Sequence, residues 1–510
     1  MYRTFISLSF FSLICLQLVA AVSPLSVMKK EIPNKEAQKT ARYAVTQYHK
    51  RVIDELSEMV TFKTVAVTGL PLSENSEFTG FKSHIKKLSN SLGFNYQDHG
   101  HILIVSYGQQ QQRLGILVHG DVQPADASKW KKNPFKLDRK SEPGLLIARG
   151  TEDDKGSIVS VLYAMKSIKD KNIILKRKLE LIIYLAEESD WEPFKTFLKT
   201  YTPPEINVTL DASYPVVTAE KGYSAIQVDI PKINKTYKTA YISQFSGGLF
   251  GSQVPEDAKV EIKNVPQNLV ARLKKRADKY PKVDYQFSLN NKTLNITAKG
   301  KSAHSADPEN GINAIAFIAQ ILSQESWPKT TAGLAVTYIN ELVGIGYHAE
   351  KFGKIAYEDD FMGKMTMVSS IVKSSDIGIH LNLNLRRPKG KTEAMLISQT
   401  EQALKGWQNK YSIKLENVKI SYGTPLVLDD APHVRPLLKI FSHYTGIKNP
   451  QPISIGGSTN AKLLPNTLSF GPSMPGQAYT GHSEHEFISV KQLALNLEMY
   501  TAMMVELGNL

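Results

Sequence analysis

The sequence is nearly without cysteine: one residue in 510, Cys15. It lies within the uncharged run FISLSFFSLICLQLVAAV, so removal of that run leaves a chain with no disulfide even in an oxidising compartment. Stability must then come from the core and from any bound metal. Ile14 precedes Cys15 where lipidation favours a small residue, which argues against a lipoprotein. No second long apolar run follows. With Arg3 before it and Ser23 and Pro24 after it, the first run has the layout of a secretory signal over residues 1–22, cleaved near Ala21 or Ser23; an uncleaved anchor is the alternative. The expectation is an exported protein, periplasmic or secreted, with no stable membrane association once the signal is removed.

Also absent are a basic stripe with interleaved aromatics, an internal repeat and a nucleophile elbow around any serine. The charge of +14, or +13 without Arg3, is spread over pairs such as Lys29–Lys30, Lys131–Lys132 and Lys274–Lys275, a pattern of solubility rather than of nucleic-acid binding. Ser458 lacks the flanking glycine pattern of a hydrolase nucleophile. With 42% hydrophobic residues disorder is excluded, and the length exceeds what one core usually holds, so two domains are expected.

What is present is an alternation of helices and short apolar runs. Residues 38–60 and 84–94 carry apolar side chains at helical spacing, the second stretch stopping at Gly93. ILIVSYG, LGILVHGD and LELIIYLAEE read as strands, the last two buried on both faces, with a helix over 157–170 between them. From about Tyr223 the texture becomes alternating strands and turns, followed by helical GINAIAFIAQILSQ and the strand IGIHLNLNLRRP; helices and short buried strands return after about residue 396. The expected fold is α/β, a mixed central sheet flanked by helices, with an inserted α+β domain. Its boundaries are a signal over 1–22, a first domain in two pieces, 23–222 and 396–510, and an insert over 223–395.

Chemistry gathers where apolar runs end. His119 and Asp121 follow LGILV one residue apart, so they project the same way; His119 can ligate a metal while Asp121 braces its ring. RGTEDDKG sets Asp153 beside Asp154, and LELIIYLA runs straight into Glu187 and Glu188. Helix capping explains one aspartate, but adjacent like charges repel unless a cation compensates them. Asp211 closes NVTL, and His482 lies in GHSEHEF ahead of the last helix. Two imidazoles with several carboxylates form a donor set suited to zinc rather than to magnesium or calcium.

HGDVQP, RGTEDDKG, LAEESD, DASYPVVTAEKG, GKSAHSADPENGINA, NLRRP, GGSTNAKLLPN and GHSEHEF occur in the order in which they stand in the aminoacylase and carboxypeptidase family of di-zinc peptidases. From about residue 45 onward the chain resembles that family, above all its peptidase V-like dipeptidases. The resemblance implies a di-zinc exopeptidase-like catalytic domain with a lid, the insert 223–395. It implies two zinc ions, with cobalt or manganese as substitutes: Asp153 bridges them, His119 and Asp211 complete one site, and Glu188 and His482 the other. Asp121 then orients His119, and Glu187 is the general base acting on the attacking water. The join after the bridging aspartate, Asp153 to Asp154, is expected to be cis.

His304 matches a lid histidine that reaches the oxyanion, and Arg386 an arginine for the substrate's C-terminal carboxylate, with Arg387 as the competing choice. Gly457, Ser458 and Thr459 match a glycine-rich loop that binds substrate. Two positions depart from the family: His485 stands where asparagine or aspartate is usual, competing with His482 as last ligand, and Asn460 replaces an acid. The implied activity is hydrolysis of small unblocked dipeptides. An N-acyl amino acid deacylase or a glutamate-type carboxypeptidase, sharing the metal motifs, is the alternative. A lid this long implies a monomer that completes its own site.

Overall fold

The computed structural model describes residues 32–477 and 479–510, so the expected signal over residues 1–22 lies outside the described residues. Among the described residues no helix is long and apolar enough to cross a membrane.

Two sheets organise the chain. The first is mixed. Its central strands Arg113–His119, Lys178–Tyr184, Ile206–Thr209 and Thr467–Ser469 run parallel, and antiparallel strands, including Ile102–Tyr107, flank them. Alternation along each strand feeds two cores. Leu103, Val105, Leu114, Ile116, Val118, Leu181 and Ile183 pack under helices Lys35–Met59, Lys155–Asp170 and Val490–Leu507. Ile102, Ile104, Leu117, Ile182 and Tyr184 face the opposite layer with Phe194 and Leu464. Burial on both faces is why these strands read as unbroken apolar runs.

The second sheet is antiparallel and has eight strands. One face packs on helices Gln267–Ala277, Ala314–Leu322, Thr331–Tyr338 and Glu393–Tyr411, and the outer strands keep the other face polar: Thr293–Lys299 alternates buried and exposed residues. Its hairpin Asp284–Asn290 to Thr293–Lys299 turns through Asn291 and Lys292, both with positive φ (45° and 63°), the two-residue turn whose twist suits a hairpin.

The segment that builds this sheet is longer than the expected 223–395. Helix Glu393–Tyr411 buries Leu396, Leu404 and Trp407 in the second core, and strand Glu416–Tyr422 pairs with Gly222–Pro231. The return of helical spacing near residue 396 reads as the first domain resuming. The helix instead covers the second sheet, and the chain leaves it only after Tyr422.

Candidate metal centre and the cavity around it

Three parallel strands deliver the acidic cluster. His119 ends Arg113–His119, Glu187 and Glu188 follow Lys178–Tyr184, and Asp211 follows Ile206–Thr209, so all lie beyond the carboxyl ends of neighbouring strands, where α/β sheets place their ligands. Asp153 enters from the turn ahead of helix Lys155–Asp170, and the Asp153–Asp154 peptide is cis, as expected.

The bridging pattern is visible in the distances. Asp153 Oδ1 stands 2.7 Å from His119 Nε2, and its Oδ2 stands 3.0 Å from His482 Nε2. His482 Nε2 is also 2.9 Å from Glu188 Oε1, and His119 Nε2 is 3.7 Å from Asp211 Oδ1. Ligand atoms of His119, Glu187 and Asp211 lie within 4.8 Å of one another, as do those of His119, Asp153 and Glu188. Glu187 therefore stands within reach of the same ion as His119.

Electrostatics test whether a cation fits. Burial and the neighbouring carboxylates push Glu187 well above the usual carboxyl range against the pull of His119. Asp211 is pushed up by burial to about 6, although His119 opposes. Burial works against both imidazoles, yet Asp211 carries His119 well up and Glu188 and Asp153 do the same for His482. Four carboxylates crowded about two imidazoles in a buried place carry negative charge to spare, and a divalent cation with a mixed nitrogen and oxygen donor set relieves it. The residues fit the metal that the resemblance implies.

Asp121 orients His119, as expected, through its main chain. His119 Nδ1 donates to the Asp121 carbonyl oxygen at 3.0 Å, which leaves Nε2 facing Asp153 and Asp211. The Asp121 carboxylate instead accepts the backbone N–H groups of Glu187 and Glu188, each at 3.0 Å. One residue thus fixes the ring through its main chain and the acidic turn through its side chain.

His482 is the histidine that turns inward, with φ of +64° in the left-handed region. His485 points away, its Nε2 3.3 Å from Glu142 and its side chain 42% exposed. Sequence reasoning missed the group between them and the strand: Glu486, wholly buried, accepts backbone N–H from Gly150, Glu152 and Asp153 and pairs with Arg149 at 2.8 Å. Glu152 returns the clamp by accepting from Thr480 and Gly481. Main-chain and hydroxyl donors hold Glu152, while burial pushes its carboxyl up to about 7. Tyr479, also missed, donates its hydroxyl to Asp153 Oδ2.

The far side of the cavity, which measures about 760 Å³, belongs largely to the second sheet and its loops. His304 pairs through strand Ala303–His304 with Gln253–Val254, and its ring lies 5.6 Å from that of His482. Its Nδ1 accepts from the Ala306 N–H, so Nε2 holds the proton; burial, with Arg386 and His482 nearby, keeps it neutral. Arg386 lines the cavity beneath Tyr223, whereas Arg387 does not and donates to the carbonyls of Gly423 and Lys391. Gly457, Ser458 and Thr459 all line the cavity. The Thr459 hydroxyl, however, is committed to buried Glu220 at 2.6 Å. Asn460 is buried and accepts from Thr209 at 2.9 Å, so its change from an acid falls in the scaffold.

Imidazoles and carboxylates at the ends of parallel strands, with a second sheet bringing histidine and arginine to the same cavity, define a metal-dependent hydrolase. The model of Peptidase family M20/M25/M40 matches residues 115–506, and the chain belongs to that family of metallopeptidases. It is similar to the Beta-Ala-Xaa dipeptidase of Lactobacillus delbrueckii subsp. lactis, 28% identical over 410 residues that cover 79% of this chain and 83% of that one. Among solved structures it resembles human carnosine dipeptidase 1, with a TM-score of 0.59 and 15% identity over 94% of this chain and 100% of that one. It also resembles the di-peptidase Dug1p from Saccharomyces cerevisiae, with a TM-score of 0.57 and 13% identity over 92% and 98%. At these identities the structural likeness establishes the mixed α/β fold.

Proposed function

We propose that this chain is an exported, zinc-dependent dipeptidase acting on small unblocked dipeptides. The observation that carries the reading is Asp153, whose two carboxylate oxygens each face a different imidazole, His119 and His482. Two zinc ions, one held by His119, Asp153 and Asp211 and the other by Asp153, Glu188 and His482, would polarise the scissile carbonyl and acidify water.

Glu187, beside His119 and Asp211, takes the proton of the attacking water and hands it to the leaving amine. His304 is neutral with its proton on Nε2, so it offers a donor to the oxygen that gains charge. Arg386 faces the cavity with a planar fork matched to a carboxylate, which favours a substrate with a free C-terminus. That His304 comes from the same chain supports a monomer completing its own site. The Beta-Ala-Xaa dipeptidase relative supports the substrate class, and the apolar run within residues 1–22 supports export to a periplasmic or extracellular compartment.

The test is hydrolysis of a panel of unblocked dipeptides and N-acyl amino acids after loading with zinc, cobalt or manganese. Turnover of the dipeptides is expected; activity confined to the N-acyl compounds would overturn the reading in favour of a deacylase.

A further inference from the structure

The end of the cavity away from the acidic cluster holds two cations with no carboxylate in ion-pair contact, although Asp307 lines the same cavity and acts on Arg386 from farther off. Arg386 is buried, its guanidinium donating only to Asn384 at 3.3 Å and to the Ser305 hydroxyl at 3.4 Å. Lys462, in the short turn Asn460–Leu463, lines the same cavity and donates to the Lys221 carbonyl at 2.7 Å and the Ser458 hydroxyl at 2.6 Å. An ammonium has three donors, so one is left over. Among the described residues neither side chain is ion-paired with a carboxylate.

The acid near Lys462 is spoken for. Glu220 is wholly buried, and its oxygens accept from the Thr459 N–H at 3.0 Å, the Thr459 hydroxyl at 2.6 Å and Ser469 at 3.4 Å. The loop carrying Lys462 is tied to the lid turn: a Cβ at Gly456 would stand 2.4 Å from the Ala306 carbonyl oxygen, so only glycine permits that approach. Lys462 and Arg386 thus line one cavity, the first from the loop that touches the lid turn and the second from the second sheet. Burial, offset only partly by Glu220 and deepened by Arg386 and Arg387, lowers Lys462 to about 8. Burial lowers Arg386 to about 10. Two buried positive charges whose acids, Glu220 and Asp307, stay outside ion-pair contact are costly unless a ligand brings its own carboxylates.

We propose that Lys462 is a specificity-determining residue that receives a second carboxylate beside the one held by Arg386, so that the preferred dipeptides end in aspartate or glutamate. The inference rests on the dipeptidase reading. A single α-carboxylate satisfies the fork of Arg386 and leaves the point charge of Lys462 unmet. The second carboxylate within reach of an adjacent cation belongs to the side chain of the same C-terminal residue. The ammonium, with its one spare donor, suits a single carboxylate oxygen.

The experiment compares kcat/KM for Ala-Glu with Ala-Gln, and for Ala-Asp with Ala-Asn, on the zinc-loaded full chain. Dissociation constants of the same pairs are measured on the Glu187→Gln protein. Wild type should favour the acidic member of each pair tenfold or more; Lys462→Met should bring the ratio near one, and Lys462→Arg should keep most of it. A wild-type ratio of one overturns the inference, as does a Lys462→Met protein that loses both members equally. If Lys462→Met does not fold, as judged by Tm, Lys462→Gln and the wild-type ratio still decide. Failure of the dipeptidase reading looks different: none of the four dipeptides, acidic or amide, is then turned over.

Discussion

At one end of the cavity His119, Glu187, Glu188 and Asp211 sit at the ends of three parallel strands, Asp153 and His482 come from turns, and Asp121 and Glu486 cross-brace them. At the other, Arg386 ends a strand of the second sheet, His304 lies on a two-residue strand and Lys462 on a loop turn. The acidic end crowds carboxylates about two imidazoles, and at the basic end Arg386 and Lys462 have no carboxylate in ion-pair contact among the described residues. The difference teaches what each end is for. Metal ligands demand fixed geometry and are built on the stiffest part of the scaffold. Groups that meet the substrate come from the second sheet and from a loop of the first domain, and their charge, unpaired within the protein, describes the ligand as a molecule with a negative end.

Removing the base should break the comparison hardest. Glu187→Gln keeps the shape and the metal but loses the proton carrier, and kcat should fall by roughly 10²–10⁴-fold, the range for general acid and base groups. Metal content measured alongside turnover separates base from ligand; an equal loss of metal would make Glu187 a ligand instead, which its closeness to His119 and Asp211 makes a fair contest.

Next come the histidines of the last motif. His482→Ala should lose metal and activity by more than the roughly 10–100-fold typical of outer partners, and Glu486→Gln, acting through the turn that holds Asp153, should fall within that range. His485→Ala should retain its metal, because that ring faces Glu142 and not Asp153. Metal retention by His482→Ala with loss from His485→Ala would reverse the assignment.

The basic end should yield smaller losses, seen in KM. Arg386→Met removes a charged partner whose hydrogen bonds are worth about 1.5–3 kcal/mol, so KM for dipeptides should rise about tenfold or more while metal content stays fixed. Arg387→Met should affect stability instead, since Arg387 is bound to backbone carbonyls at 2.6 and 3.4 Å. Equal KM effects from both would erase the distinction between them.

The two ends also differ in how far the sequence discloses them. His119, Glu187, Glu188 and Asp211 were legible because a buried strand announces itself as an apolar run, and a charge at its end stands out. The choice between Arg386 and Arg387 was not legible: neighbours on a strand face opposite ways, and only the register against Gly222–Pro231 says which face is the cavity. His482 against His485 turned on a positive φ that no periodicity records. Glu486 and Lys462 act through contacts 337 and 241 residues away, on Arg149 and Lys221, so nothing near them in the chain marks their work. The end of the second sheet was misplaced for a related reason: the helical spacing near residue 396 states that a helix forms, not which sheet it covers.

The last contrast concerns the scaffold of the acidic end rather than its chemistry. His433, buried ahead of helix Val434–Thr445, donates Nε2–H to the carbonyl of Asn207, on the strand that leads to Asp211, and its Nδ1 has no partner. Burial lowers it from 6.5 to about 4, against the weaker pull of the Asn207 carbonyl. The unfolded imidazole therefore gains a proton as pH falls through 6.5, while the folded one stays neutral until about 4. The unfolded state binds more protons across that window, so stability falls with falling pH there and is unaffected by this group above it. The gap corresponds to at most about 3 kcal/mol, a few degrees in Tm for a chain of this size. His433→Gln cannot take up the proton, so its Tm should fall less than that of wild type between pH 6.5 and 4.5, with the two curves converging. Parallel curves would show that the imidazole titrates alike in both states, and that the strand beneath Asp211 does not depend on a neutral His433.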